Sequence, residues 1–143
     1  KPSREGATPM SQLLFVYGTL RPGFDHPMAR VLAQRGRLLG RARAAARLYN
    51  LGRYPGILEP QGEDDWVHGE VYELRDDGTL EEMDRYENAE SPLPAFFERR
   101  LEPVIMEGGE KRDAWLYWFR GAVDEERRIS GGDWLAAGRN GTV

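Results

Sequence analysis

The chain has 143 residues, 40% of them hydrophobic, a formal net charge of −4 and no cysteine. That length suits one domain with a sizeable core, and the missing thiols exclude disulfides, thiolate catalysis and cysteine-ligated metals. An acidic balance, with a pI near 5.3, argues against general nucleic-acid binding, and no apolar run approaches the ~20 residues of a membrane helix.

Lys1 to Met10 is polar and aperiodic, so residues 1–11 are expected to be a disordered extension, with Met10 a candidate native start. No charged-then-apolar leader precedes the first apolar run, which fits a cytoplasmic protein. That run, Leu13 to Tyr17, passes unbroken into Gly18, Thr19, Leu20, Arg21, Pro22 and Gly23. It reads as a strand buried on both faces, followed by a tight loop. Gly18 lets the backbone turn and something approach closely. Successive N–H groups there would form a concavity suited to an anionic group such as a carboxylate. An ordinary turn after a core strand fits the same letters. Thr19, with no His or Lys close in sequence, reads as a hydrogen-bond donor or turn residue rather than a nucleophile.

His26 to Ala33 is a short helix, with Pro27 in its first turn and Gly36 past its end. The Arg- and Ala-rich stretch from Gly36 to Leu51 suits a strand beginning at Leu38, although Ala and Arg also favour helix. Gly52 to Leu58 is a turn and then an edge piece, because Pro55 lacks an N–H. Trp66 to Leu74 reads as a half-buried strand with Val67, Gly69 and Val71 on one face. Glu70 within it either lines a cleft or pairs with an arginine. His26 and His68, far apart in the chain, are structural or exposed and suggest no zinc site.

After the turn Asp76-Asp77-Gly78, Thr79 and Glu82 are spaced as a capping box for a helix running to about Glu87, with Asn88 as its C′ residue. At ~100° per residue, Leu80, Met83 and Glu87 share one stripe. A carboxylate at the end of an apolar stripe is raised in pKa by desolvation, and the helix C-terminus pushes the same way. Glu87 is therefore the candidate general base, with a frayed, solvated end as the alternative. Ser91 to Pro94 is a rigid loop. Phe96 to Met106 and Asp113 to Arg120 are strands joined by the hairpin Glu107-Gly108-Gly109-Glu110. Gly131-Gly132-Asp133-Trp134 reads as a packing turn with an anchoring tryptophan, and the chain frays from Ala137. The sum is an α+β (mixed α/β) domain over residues 12–136, a strongly curved sheet with short helices, followed by a flexible tail at 137–143.

Phe15-Val16-Tyr17-Gly18-Thr19-Leu20, then Gly69-Glu70-Val71-Tyr72, then Met83-Asp84-Arg85-Tyr86-Glu87, resembles the γ-glutamylcyclotransferase superfamily and within it the AIG2-like, γ-glutamylamine cyclotransferase branch. The likeness spans roughly Leu13 to Arg120, and Gly132-Asp133-Trp134-Leu135 is similar to the tail of bacterial members. It implies a small β-barrel with flanking helices and a γ-glutamyl small-molecule substrate, with no cofactor, metal, nucleic acid or membrane partner. It also implies Glu87 as the catalytic acid/base. Tyr17, Gly18, Thr19 and Leu20 would hold the γ-glutamyl moiety, with Glu70 and Phe97 also in the substrate site. Phe97 stands where the family commonly has Tyr, so a hydroxyl contact is lost there. That departure admits a second expectation, a non-catalytic module of the same fold that binds a γ-glutamyl or carboxylate metabolite.

Overall fold

The computed structural model describes residues 11–18, 21, 27–52, 55–75, 78–90 and 97–134, with the side chains of residues 11, 27–28, 84 and 86–90 outside that description. The expected extension before residue 11, the loop at 91–94, the fraying tail and the His26 side chain lie outside it too.

The elements in chain order are β1 (Ser11–Val16), α1 (Pro27–Arg35), β2 (Gly36–Ala45), β3 (Arg47–Asn50), β4 (Pro55–Leu58), β5 (Trp66–Arg75), α2 (Thr79–Glu90), β6 (Phe97–Met106) and β7 (Lys111–Phe119), with a 3-10 turn at Glu125–Arg127. Five strands close a barrel in the order β1-β5-β2-β6-β7, and β3 pairs with β4 in a separate ribbon. Closure falls between β1 and β7, which run parallel and meet at Leu14 and Trp115. The expected small barrel with short flanking helices is what the chain forms.

Strand wins over helix in the Arg/Ala stretch because its polarity alternates with period two. Ala42 and Ala44 are buried while Arg41 and Arg43 are exposed. A barrel of so few strands has little interior width, and alanine fits where propensity alone would disfavour it. The β2–β5 register slips between Leu38 and Gly40, where Gly40 takes φ 140°, a bulge that bends the strand around the barrel.

Two apolar layers result. Phe15, Val67, Val71, Leu116 and Trp134 belong to the barrel interior. Leu14, Val16, Tyr72 and Leu74 form an outer layer with Leu32 of α1 and Leu80 and Met83 of α2. β1 is buried on both faces, as its unbroken apolar run predicts. β5 departs from expectation: it is not half-buried, because Gly69 to Tyr72 are buried on both faces, its outer side lying under the helices.

Helix α2 opens one residue earlier than the capping box predicts. The Gly78 carbonyl already accepts from the Glu82 amide at 3.0 Å, so Thr79 is the first helical residue. The Glu82 carboxylate reaches across to Arg35 of α1. The helix also continues to Glu90, so Asn88 lies inside it and is not its stop. Leu80 and Met83 are the buried residues that seat it, and truncating Met83 to Ala would cost about 2–5 kcal/mol. Among the described residues, no helix is long and apolar enough to cross a membrane.

Candidate functional site

β1 ends on Val16, whose register partner on β5 is Glu70. The next residue, Tyr17, is 7% exposed and its hydroxyl donates to the Tyr117 carbonyl at 2.8 Å. This bond ties the start of the loop to β7. Gly18 follows with no room for a side chain: a Cβ there would lie 2.5 Å from Cγ of Pro55 on β4. Glycine is thus required by close approach, as the sequence suggests. The chain then returns, the Arg21 amide donating to the Gly18 carbonyl at 3.1 Å. Thr19 and Leu20 lie outside the described residues.

Arg21 fixes the other end of this loop. Its Nε and Nη2 donate to the two carboxylate oxygens of Glu70 at 2.7 and 2.9 Å, and its Nη1 donates to Asp133 at 2.8 Å. Arg21 is 5% exposed and Glu70 8%. Such a charge is tolerable inside a protein only when its donors are all met with good geometry. Burial alone would weaken the Arg21 charge, but the hydrogen bonds and charges of Glu70 and Asp133 outweigh it and hold its pKa above the ordinary arginine value. Burial, with the Glu70 charge beside it, likewise pushes the Tyr72 hydroxyl up.

Asp133 is carried into place by the turn that the sequence marks as packing. Gly132 adopts φ 70°, and its carbonyl accepts from the His68 amide at 2.7 Å, docking the turn against β5 two residues from Glu70. A Cβ at Gly132 would meet the Trp66 carbonyl oxygen at 2.0 Å. Trp134 is buried in the barrel core, as its anchoring role requires. The turn therefore packs and also supplies a carboxylate, which sequence reasoning did not assign.

The expected site residues divide as follows. Tyr17, Gly18 and Glu70 meet at the exit of β1. Glu70 takes the second of its two readings, the pair with an arginine, and both its oxygens are occupied by Arg21. Phe97 is buried in the layer it shares with Met83 of α2 and Tyr72 of β5, its ring 5.4 Å from that of Phe119. Glu87 belongs to the last turn of α2, two turns after Leu80, and its side chain lies outside the described residues. Arg21 and Asp133 were missed. The available signals were a cation directly after Tyr-Gly-Thr-Leu and an acid beside the anchoring tryptophan. Among the described residues, no group of three His, Asp or Glu side chains could hold a metal.

The family model for gamma-glutamyl cyclotransferase, AIG2-like, matches residues 14–136. The gamma-glutamylcyclotransferase family protein YtfP of Escherichia coli K12 is 35% identical over 125 residues, 85% of this chain and 95% of that one. Among solved structures, an AIG2-like protein from Mus musculus has a TM-score of 0.71 at 24% identity, covering 92% of both chains. YkqA from Bacillus subtilis has a TM-score of 0.71 at 24% identity, and this chain spans 42% of its length. At that identity the two structures speak to the fold.

Proposed function

The chain belongs to the gamma-glutamyl cyclotransferase, AIG2-like family, and on that footing we propose that it is a cytoplasmic γ-glutamyl(amine) cyclotransferase needing no cofactor. The α-amine of a γ-glutamyl substrate attacks the substrate's own γ-carbonyl. A new C–N bond closes 5-oxoproline while the old amide C–N bond breaks and releases an amine. Glu87 takes a proton from the attacking amine and returns one to the leaving nitrogen.

The observation that carries this reading is the double tether of the Tyr17–Arg21 segment, to Tyr117 at one end and to Glu70 and Asp133 at the other. Ring closure gains most when the reacting chain is held still, and fixing both ends of a loop lowers the cost of ordering it on binding. Its backbone N–H groups are proposed to hold the γ-glutamyl end and to face the developing oxyanion. An α-amine titrates near ~8 and an ordinary Glu near ~4.3, a gap of about 4 units or ~5 kcal/mol. A glutamate in the last turn of α2, where no basic residue stands, is in a setting that narrows the gap.

A second reading rests on Phe97. Its apolar ring replaces a hydroxyl common in the family and is buried beside α2, which favours a module that binds a γ-glutamyl metabolite without turning it over. Mass-spectrometric detection of 5-oxoproline from a panel of γ-glutamyl amides and amines, with Glu87→Gln alongside, separates the two. Product from the wild type alone supports the cyclotransferase. Undiminished product from Glu87→Gln removes Glu87 from its role, and saturable binding without product selects the binding module.

A further inference from the structure

On the outer faces of β2 and β5, beside the carboxylate that anchors Arg21, the register sets two cations of β2, Arg41 and Arg43, against Glu70 and His68 of β5. On the other face of the same strands, Arg37 faces Glu73 and is neutralised by it, Nη2 to Oε1 at 2.8 Å. Arg41 faces Glu70, but both oxygens of that carboxylate are already taken by Arg21. Arg43 faces His68, which brings no negative charge. Among the described residues neither Arg41 nor Arg43 has a carboxylate within ion-pair distance. Arg41 and Arg43, at i and i+2 of β2, thus put two cations on one face of the strand.

Both line a hollow of about 250 Å³, with His68, Ile105, Met106 and Glu107. Its floor is the short seam where β2 meets β6, Ala42 opposite Met106 and Arg43 opposite Ile105. The Glu107 amide donates to the Arg41 carbonyl at 2.9 Å, which pins the hairpin rim to β2. Glu110, the next acid of the rim, is engaged with Arg112 at 3.7 Å. The Arg43 guanidinium lies 4.6 Å over the Trp66 ring. A guanidinium over an aromatic face is held by the ring and still has N–H groups to offer an acceptor.

We propose that this hollow is a binding site for a phosphate group, free or borne by a small molecule. Two guanidinium forks match the oxygens of a phosphate dianion in number and geometry, the imidazole adds a donor, and Ile105 and Met106 give an apolar wall for an organic body beside it. The site uses none of the residues assigned to ring closure and stands independently of that reaction.

The test is titration of the ¹⁵N-labelled protein with inorganic phosphate, phenyl phosphate and glutarate, following the amides of Arg43, His68 and Glu107 by NMR. Saturable shifts at those amides are expected with a phosphate probe, weakened about tenfold or more in Arg41→Ala and in Arg43→Ala. Arg43→Lys should keep part of the affinity, and Arg37→Ala, whose cation is already neutralised, should keep all of it. Tighter binding of phenyl phosphate assigns the site to a phosphomonoester, and equal binding assigns it to the free anion. Shifts that never saturate, that persist in both alanine variants, or that are stronger with glutarate would overturn the proposal.

Discussion

Glu70 and Glu73 stand three residues apart on β5, and each holds an arginine, yet the two pairs do different work. The Arg37–Glu73 pair links neighbouring strands at the surface, with the arginine side chain 75% exposed. The Arg21–Glu70 pair is buried, bidentate and extended to Asp133, and it joins a loop, a strand and the C-terminal turn. The first is a local neutralisation that water could replace. The second decides where a backbone segment goes.

Removing one partner of the buried set should give the largest effect. Arg21→Ala leaves two carboxylates facing each other without a cation and should lower the unfolding free energy by about 3–5 kcal/mol in urea denaturation. The double variant Arg21→Met/Glu70→Leu sharpens the contrast: its stability should return to near wild type, as apolar replacement of buried pairs often allows, while 5-oxoproline formation should be lost. Recovery of both would mean that the network serves stability alone. Asp133→Asn keeps an acceptor at a partly exposed position and should cost about 1 kcal/mol.

A third charged cluster responds only to acid. Asp65 accepts from the Gln61 and Gly62 amides at 2.7 and 2.8 Å and pairs with Arg128. The two amides first, then Arg128, hold its carboxyl below the ordinary aspartate value of 3.8. A carboxylate depressed on folding contributes stability above that value and loses it as pH falls through the lower, folded one. The urea midpoint should therefore drop below about pH 4 in wild type more than in Asp65→Asn. Arg37→Ala should be the smallest change, about 0.2–1 kcal/mol, and vanish in high salt. A larger loss would place the surface pair in the same class as the buried one.

What the sequence makes legible here is what depends on near neighbours. The apolar run of β1, the Glu107–Glu110 hairpin and the Leu80–Met83 stripe all carry their signal within a few residues. Glu70 announces that it needs a partner, because a carboxylate in an apolar strand must be paired. It does not announce which, since Arg21 lies 49 residues away and Asp133 is 112 residues from Arg21. The Arg/Ala stretch misleads through propensity, and the narrow interior that selects alanine exists only once the barrel has closed. The length of α2 is a boundary question, and Asn88 is tolerated in its last turn.

The closure between β1 and β7 has a consequence rooted in counting. In a ring of strands whose neighbours all run in opposite directions, the number must be even. This ring has five members, so one junction has to break the alternation, and the chain puts that mismatch between its first strand and its last. The junction is a single backbone bridge at Leu14 and Trp115, reinforced where the Trp115 indole N–H donates to the Gln12 side chain at 2.8 Å. The odd ring thus places its one parallel join on the same strand that delivers Tyr17 and Gly18.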